Sequence, residues 1–529
     1  MIIFQELTER IGRLARICTL SVFLVPGTVG FSRSGDPFPM ELGHGLMAGA
    51  VDDTSAILQS RLTSTNRVVD RRWSGVMGIE GVARFEVALG ADFKDPIRTE
   101  WLTTLPENDF IVKVKVEGLR PETRYHYRLA YGPDKSRLEK SAAAAFTTLG
   151  GETGQGSYSF ALSICMHYSK FHYTGSGSQP PYSGPDKALG YPALATILAL
   201  EPDFFVGLGD NVYYDGPGSG HQMRGRAETQ HQLRMKHQEQ YSQQRFLDLF
   251  AQVATYWMKD DHDYRFNDSD PVNPVRVYAQ DRIGAYPKEN LYPTHSGSGH
   301  APSHELGVRM FREQYPVVDP QASDTVTYFT RRVNRDLQIW MVEGRDYRSP
   351  NDFPDGPQKT IWGKEQKEWL KRTLLESDAT FKVLLSATAM VGPGSGSKRD
   401  NHINPGGFRH EGNEFFRWLT ENRFSPERFV IICGDRHWQY HAIHPSGFQE
   451  FSVGAMIDAN AIIGYFPGDP KSSDPEGKVK QPYHYEEPTG GFLLMKIGRT
   501  GEGRARMDFT FYDEKGNVLY THAKEAGPD

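Results

Sequence analysis

An all-β sandwich followed by a layered α/β domain is the fold class this sequence predicts. Between residues 38 and 149, short alternating apolar runs at 54–58, 82–89 and 110–116 are separated by turn residues, the period-two pattern of half-buried strands. After residue 157 the pattern becomes short runs apolar on both faces, at 158–164, 203–209, 337–342, 381–386 and 429–433, interleaved with helical stretches. Such strands suit the buried centre of a sheet covered by helices. The length of 529 residues also exceeds what one core fills, since single cores stop growing near about 250–300 residues.

Within the first region, the turn Leu119-Arg120-Pro121-Glu122-Thr123 feeds a strand with alternating Tyr125 and Tyr127, which can supply a tyrosine-corner contact. Residues 38–149 therefore read as an immunoglobulin- or fibronectin type III-like sandwich. Residues 150–157 are rich in glycine and read as a flexible linker, because glycine and serine supply no packed face. The α/β domain runs from 157 to 525, with helical periodicity at 188–200, 230–250, 303–315 and 363–375.

The N-terminus carries Arg10, Arg13 and Arg16 ahead of an apolar stretch at 17–29, the outline of a signal peptide over residues 1–35. An N-terminal extension is the alternative. The first reading implies a periplasmic or extracellular protein and the second a cytoplasmic one. No segment reaches the roughly 18 continuous apolar residues of a spanning helix. A net charge of −6 with no run of like charges gives no footprint for nucleic acid. Three cysteines, Cys18, Cys165 and Cys433, provide no disulfide framework.

The ends of the α/β strands carry the chemistry. Ligands gather where strands of layered α/β folds end, and here those ends read Ser163-Ile164-Cys165, Gly209-Asp210-Asn211-Val212-Tyr213, Asp260-Asp261-His262-Asp263 and Gly434-Asp435-Arg436-His437. Grouping carboxylates, imidazole, phenol and thiol is costly unless a cation neutralises them. Gly209 and Gly434 let the chain turn so that Asp210 and Asp435 face the ion. Spacing from Asp210 favours Tyr213 over its neighbour Tyr214. Cys165 taken alone reads as a buried small hydrophobe, and only with Asp210 and Tyr213 in register does it read as a ligand; Cys433 inside its apolar run reads as core. Asp260 and Asp263 read as supports, Asn267 as a turn residue or a contact, and His402 as one of the scattered histidines placed to line a pocket.

This order of motifs resembles the metallophosphoesterase superfamily, and specifically the alkaline phosphatase D (PhoD-like) family. The general superfamily shows Asp-x-His, Gly-Asp-x-x-Asp, Gly-Asn-His and Gly-His-x-His; the departures in this chain mark the D-type branch. Gly344 to Arg348, Gln366 to Leu370 and Phe381 to Met390 look like further family landmarks. The resemblance implies a four-layer α/β/β/α domain and an iron-type ion on Cys165, Asp210, Tyr213 and His437. Asp210 bridges to a harder cation such as calcium on Asp261 and Asp435. The implied activity is hydrolysis of phosphomonoesters or phosphodiesters by a metal-activated water or hydroxide. His262 and Arg345 are the expected catalytic residues, and both, with Asn211, the expected substrate contacts. Asn211 stands where many relatives carry tyrosine, and Glu343-Gly344 where they carry Asp-Thr. The substrate is expected to be a small-molecule or lipid phosphoester and the protein a monomer. A dedicated phosphodiesterase or phospholipase-like hydrolase is the enzymatic alternative. An adhesion or binding protein on a retained scaffold is the non-enzymatic one.

Overall fold

The computed structural model describes residues 39–65, 76–176, 179–216, 227–272, 301–322 and 325–527. The signal-like segment and Cys18 lie outside the described residues.

Two large sheets form the centre. The first has nine strands, and its middle is the parallel set Tyr158–Ser163, Phe204–Leu208 and Ala254–Met258. The second has seven, with Leu337–Val342, Phe381–Ser386, Phe429–Cys433 and Gln449–Val453 parallel and in that order. These strands are Val-, Ile-, Leu- and Phe-rich and buried almost throughout, as expected of strands covered on both faces. Alternate residues serve opposite faces. Phe205 and Trp257 point into an aromatic core with Leu194, Leu233, Phe246, Leu249 and Phe311. Those partners come from the helices Pro192–Ala199, Gln230–Tyr241, Gln244–Phe250 and His304–Gln314. On the second sheet Trp340, Leu384 and Ile431 meet Leu370, Leu374, Phe415 and Leu419 of the helices Gly363–Glu376 and Arg409–Glu421. The inner faces of the two sheets meet each other, as in the stacking of Phe451 on Phe509 at 4.3 Å. The layers are thus α/β/β/α, as the resemblance implied.

The N-terminal all-β region is present and divides its strands between two sheets. Six strands, including Gly81–Ala88 and Arg124–Asp134, form their own antiparallel sheet. Met40–Gly49, Ala56–Ser64 and Ile111–Val116 instead extend the nine-stranded sheet, joined to it where Gly49 pairs with Thr255. The tyrosine corner forms: the Tyr125 hydroxyl accepts from the Arg120 N–H at 2.9 Å.

Two expectations change. Residues 150–157 are not a free linker. Gly150 N–H donates to Val333 O at 2.9 Å, Gly154 O accepts from Arg335 N–H at 2.9 Å, and Gly156 is held by Glu122 and Asn334. The absence of side chains, which suggested looseness, is what lets the backbone itself dock. The helical pattern at 230–250 breaks into two helices, because Gln243 takes an extended conformation between them.

Candidate metal centre

Both sheets deliver their parallel strands to the same edge. Cys165 follows Tyr158–Ser163, Asp210 follows Phe204–Leu208, Asp260 and Asp261 follow Ala254–Met258, and Asp435 and His437 follow Phe429–Cys433. The donor atoms of Cys165, Asp210 and His437 lie within 4.8 Å of one another. So do those of Asp210, Asp261 and His262, and those of Asp260, Asp261 and Asp435. The Tyr213 hydroxyl is 3.1 Å from Asp210 Oδ2, and Cys165 Sγ is 3.5 Å from the same oxygen. All six residues expected to hold metal therefore meet at one place. Tyr214 does not join them; its hydroxyl bonds His237 at 2.7 Å within the aromatic core. Cys433 is core, as expected.

The chain is bent hard at these positions. Cys165, Asp210 and Asp435 all adopt left-handed backbone conformations, with φ of 53°, 52° and 62°. For a residue with a side chain this costs on the order of 1–3 kcal/mol each and persists where surrounding structure enforces it. Gly209, at φ 114°, makes the first turn as expected. Gly434 serves by its size instead: a Cβ there would lie 2.5 Å from Ala387 O and 3.0 Å from Leu208 O, one backbone oxygen from each sheet.

The electrostatics of the cluster suit a cation. Burial, reinforced by Asp261, Asp263 and Asp435, pushes the Asp210 carboxyl well above the carboxylate range despite the pull of His262. Burial and then Asp210 push up both the Cys165 thiol and the Tyr213 phenol. Burial drops His437 to about 3, leaving a neutral imidazole. Asp261 Oδ1 and Asp260 Oδ2 are buried and accept no hydrogen bond among the described residues. A neutral imidazole, a thiol, a phenol and carboxylates with unspent oxygens form the donor chemistry of a borderline metal beside a hard one. The residues fit the metals the resemblance implies.

The other expected residues fall into distinct places. His262 is largely covered, its ring stacks on Tyr213 at 4.2 Å, and its Nδ1 lies 2.7 Å from Asp215 Oδ1. Burial opposes its proton, yet Asp215, Asp261 and Asp210 hold its pKa above the usual range. Asn211 does not face the cluster: its Nδ2 donates to Met258 O and Asp263 Oδ2, both at 2.7 Å, and it is fully buried. Its amide nitrogen is thus taken up by the protein, and its Oδ1, which makes no hydrogen bond among the described residues, is packed toward Gly207. Arg345 is also fully buried. Its Nε donates to Asp260 Oδ1 at 2.6 Å and its NH1 to Ser269 O at 2.8 Å, and its NH2 lies 3.5 Å from Asp400 and 3.8 Å from Asp261. It is a counter-ion locked behind the carboxylates, not an open clamp. His402 is turned into the second helical layer against Glu411 and Trp362.

Two residues stand out that the sequence did not signal. Lys398 sits in a polar loop, 2.6 Å from Asp435 Oδ1 and 3.1 Å from Asp268 Oδ1, with part of its side chain open to solvent. Asn460 lies in the short turn Asp458–Asn460, and its Nδ2 donates to Cys165 O at 3.2 Å and to the Tyr213 hydroxyl at 3.3 Å. Neither position shows a motif; only the fold brings them in.

Comparison with known proteins bears on the family and the fold. The family model described as PhoD-like phosphatase matches residues 160–464, and that of the PhoD-like phosphatase N-terminal domain matches residues 32–149. Alkaline phosphatase D of Bacillus subtilis (strain 168) is 24% identical over 362 residues, which cover 66% of this chain and 55% of that protein. The chain thus spans about half the length of this curated relative. A solved structure titled "Structure of PhoD" superposes with a TM-score of 0.67 at 16% identity, covering 93% of this chain and 91% of that one. The purple acid phosphatase PPD1 from yellow lupin (Lupinus luteus) seeds superposes at 0.53 and 10% identity, covering 90% and 73%. Both likenesses are of fold. With more than half of its length matched by the one model, this chain belongs to the PhoD-like phosphatase family.

Proposed function

We propose that this protein hydrolyses phosphoric esters in a metal-dependent reaction. The convergence of Cys165, Asp210, Tyr213, Asp261, Asp435 and His437 on one buried edge carries the reading. Cys165, Tyr213 and His437 would hold an iron-type ion, Asp261 and Asp435 a hard cation such as calcium, with Asp210 between them. Bound metals would acidify a water and neutralise charge on the phosphoryl oxygens.

The chain's own groups do the rest. Asp215 fixes one nitrogen of His262, so the other is free to donate to a phosphoryl oxygen or to the leaving alkoxide. Lys398, partly open and held between Asp435, Asp268 and Asp400, supplies a positive charge where the ester's charge must be met. Arg345 holds Asp260 and, through it, the shape of the carboxylate cluster. The left-handed bends at Cys165, Asp210 and Asp435 aim the donors before any ligand arrives, so little reorganisation is left for the reaction.

The decisive experiment compares the native chain with Asp210→Ala and His262→Gln. Elemental analysis and cleavage of mono- and bis-nitrophenyl phosphate are both measured. Asp210→Ala is expected to lose metal and both activities. His262→Gln is expected to keep its metal and lose about 10²- to 10⁴-fold in kcat, the usual worth of a general acid. Undiminished cleavage in Asp210→Ala would sink the proposal, and the ratio of the two substrates separates a diesterase from a monoesterase.

A further inference from the structure

The second sheet has another end. At the N-terminal edge of Leu337–Val342, Phe381–Ser386 and Phe429–Cys433 lies a cleft of about 860 Å³. A strand of six residues spans about 20 Å, so this cleft is a full strand length away from the metal centre. Its size suits an organic ligand, since such sites run from about 300 to 1,000 Å³.

The cleft is lined by six cations, Arg332, Arg335, Lys382, Arg423, Arg428 and Arg499, against three carboxylates, Glu152, Asp336 and Asp378. The whole chain carries −6, so this concentration runs against the overall charge. Pairing absorbs part of it. Asp336 accepts from Arg499 Nε and NH2 at 2.8 and 2.7 Å. Asp378 lies 2.7 Å from Arg332, but its side chain is 86% exposed, and water screens such a pair to about 0–1 kcal/mol. The helices Gly363–Glu376 and Arg409–Glu421 also end here, and their C-termini favour nearby cations by roughly half a charge each. Those terms account for some of the six and not for all. Among the described residues no carboxylate pairs with Arg335 or Arg423. Lys382 is pushed down to about 8, by burial first and then by Arg332 and Arg428. Like charges held in a shared cleft against their own repulsion mark a place built for an anion. Leu375, largely exposed, and Phe424 add an apolar wall.

We propose that this cleft is a second ligand site, separate from the metal centre, that takes an organic phosphate by its phosphoryl group. Guanidinium forks suit phosphoryl oxygens, and the apolar wall receives the organic body. A soluble phosphate ester and a phospholipid headgroup present the same chemistry, so the test has two arms.

Chelator-treated protein, stripped of metal, is titrated calorimetrically with methylenediphosphonate and, separately, sedimented with vesicles containing phosphatidic acid. Saturable binding is expected in one arm or both, and the responding arm identifies the source. Arg335→Gln, on an exposed side chain with no fold to lose, and Lys382→Met are each expected to weaken it tenfold or more. Asp210→Asn is expected to leave it unchanged, and Arg335→Gln to leave ester hydrolysis unchanged. The proposal fails if neither probe binds, if Arg335→Gln and Lys382→Met bind as the native chain does, or if Asp210→Asn abolishes binding. Because the readout is metal-free binding, it stands or falls apart from the hydrolytic reading.

Discussion

Asn460 and Tyr213 are 247 positions apart in the chain, and the side-chain amide of Asn460 donates to the Tyr213 hydroxyl at 3.3 Å. The same amide nitrogen donates to Cys165 O at 3.2 Å, while Oδ1 accepts from Lys170 Nζ at 2.7 Å. One buried side chain thus orients two of the proposed ligands. Partners of this kind typically account for 10- to 100-fold in metal affinity. Asn460→Leu, similar in size but unable to donate, is therefore expected to lose metal to a chelator at 10- to 100-fold lower chelator concentration. Retention equal to that of the native chain would show that Asn460 only fills space.

The burial of Arg345 separates a counter-ion from a substrate clamp. Removing one partner of a buried ion pair leaves the other uncompensated, at a cost of about 3–5 kcal/mol. Arg345→Met is expected to lose about that much in chemical denaturation, and Asp260→Asn combined with it to recover part of the loss. Arg345→Lys is expected to lower stability and metal content without raising KM. A raised KM at native stability would return Arg345 to direct contact with substrate.

Much of this was legible because it is local. The donors at Cys165, Asp210, Tyr213, Asp261, Asp435 and His437 each follow an apolar strand within a few residues, and strand ends in such folds meet. Tyr125 and its corner were legible for the same reason, since the bond spans five residues. What depends on the other side of the fold was not. Asn460 is recruited from a turn near the end of the chain, and Lys398 from a glycine- and serine-rich loop without periodicity. Asn211 and Arg345 were legible as polar residues near the site, but whether a side chain points in or out of it is settled by the strand behind it. The division of the N-terminal strands between two sheets was equally hidden, because the pairing of Gly49 with Thr255 leaves no trace in either segment.

A pH dependence unrelated to the metal centre is set by Glu411. Its carboxylate accepts from Ile361 N–H at 2.6 Å, from the Thr360 hydroxyl, and faces His402 Nε2 at 3.1 Å. Burial opposes its charge, but His402, Thr360 and Ile361 overcome that and lower its pKa from 4.5 to about 2. A depressed carboxylate stabilises the fold above its unfolded pKa, and that contribution is lost as pH falls through the folded value. Over the fall from about pH 5 to 2 the native chain should lose roughly 3 kcal/mol that Glu411→Gln does not have to lose. Denaturant midpoints of the two chains should converge in that window. Parallel curves would assign the acid sensitivity elsewhere.

Gly434 and Gly344 both stand beside functional side chains, and only one of them is sterically required. A Cβ on Gly434 would press on Ala387 O at 2.5 Å and Leu208 O at 3.0 Å. Neither is a side chain that can swing away; both are backbone, one from each sheet, so the sheets must part or the turn carrying Asp435 must shift. Overpacking of this sort costs about 1–3 kcal/mol, and a shift of the turn moves a proposed ligand as well. Gly344 has nothing within 4 Å of the same position and no left-handed backbone, although it directly precedes Arg345. Gly434→Ala is therefore expected to lower both the melting temperature and the bound metal. Gly344 is buried, but an added methyl there enters free space on an ordinary backbone, so Gly344→Ala is expected to cost less than Gly434→Ala and to keep its metal. Calorimetry and elemental analysis of the two variants decide it. If Gly434→Ala keeps its metal and stability, the seam between the sheets is loose enough to absorb a methyl group, and the tight aim of Asp435 must come from its own left-handed bend.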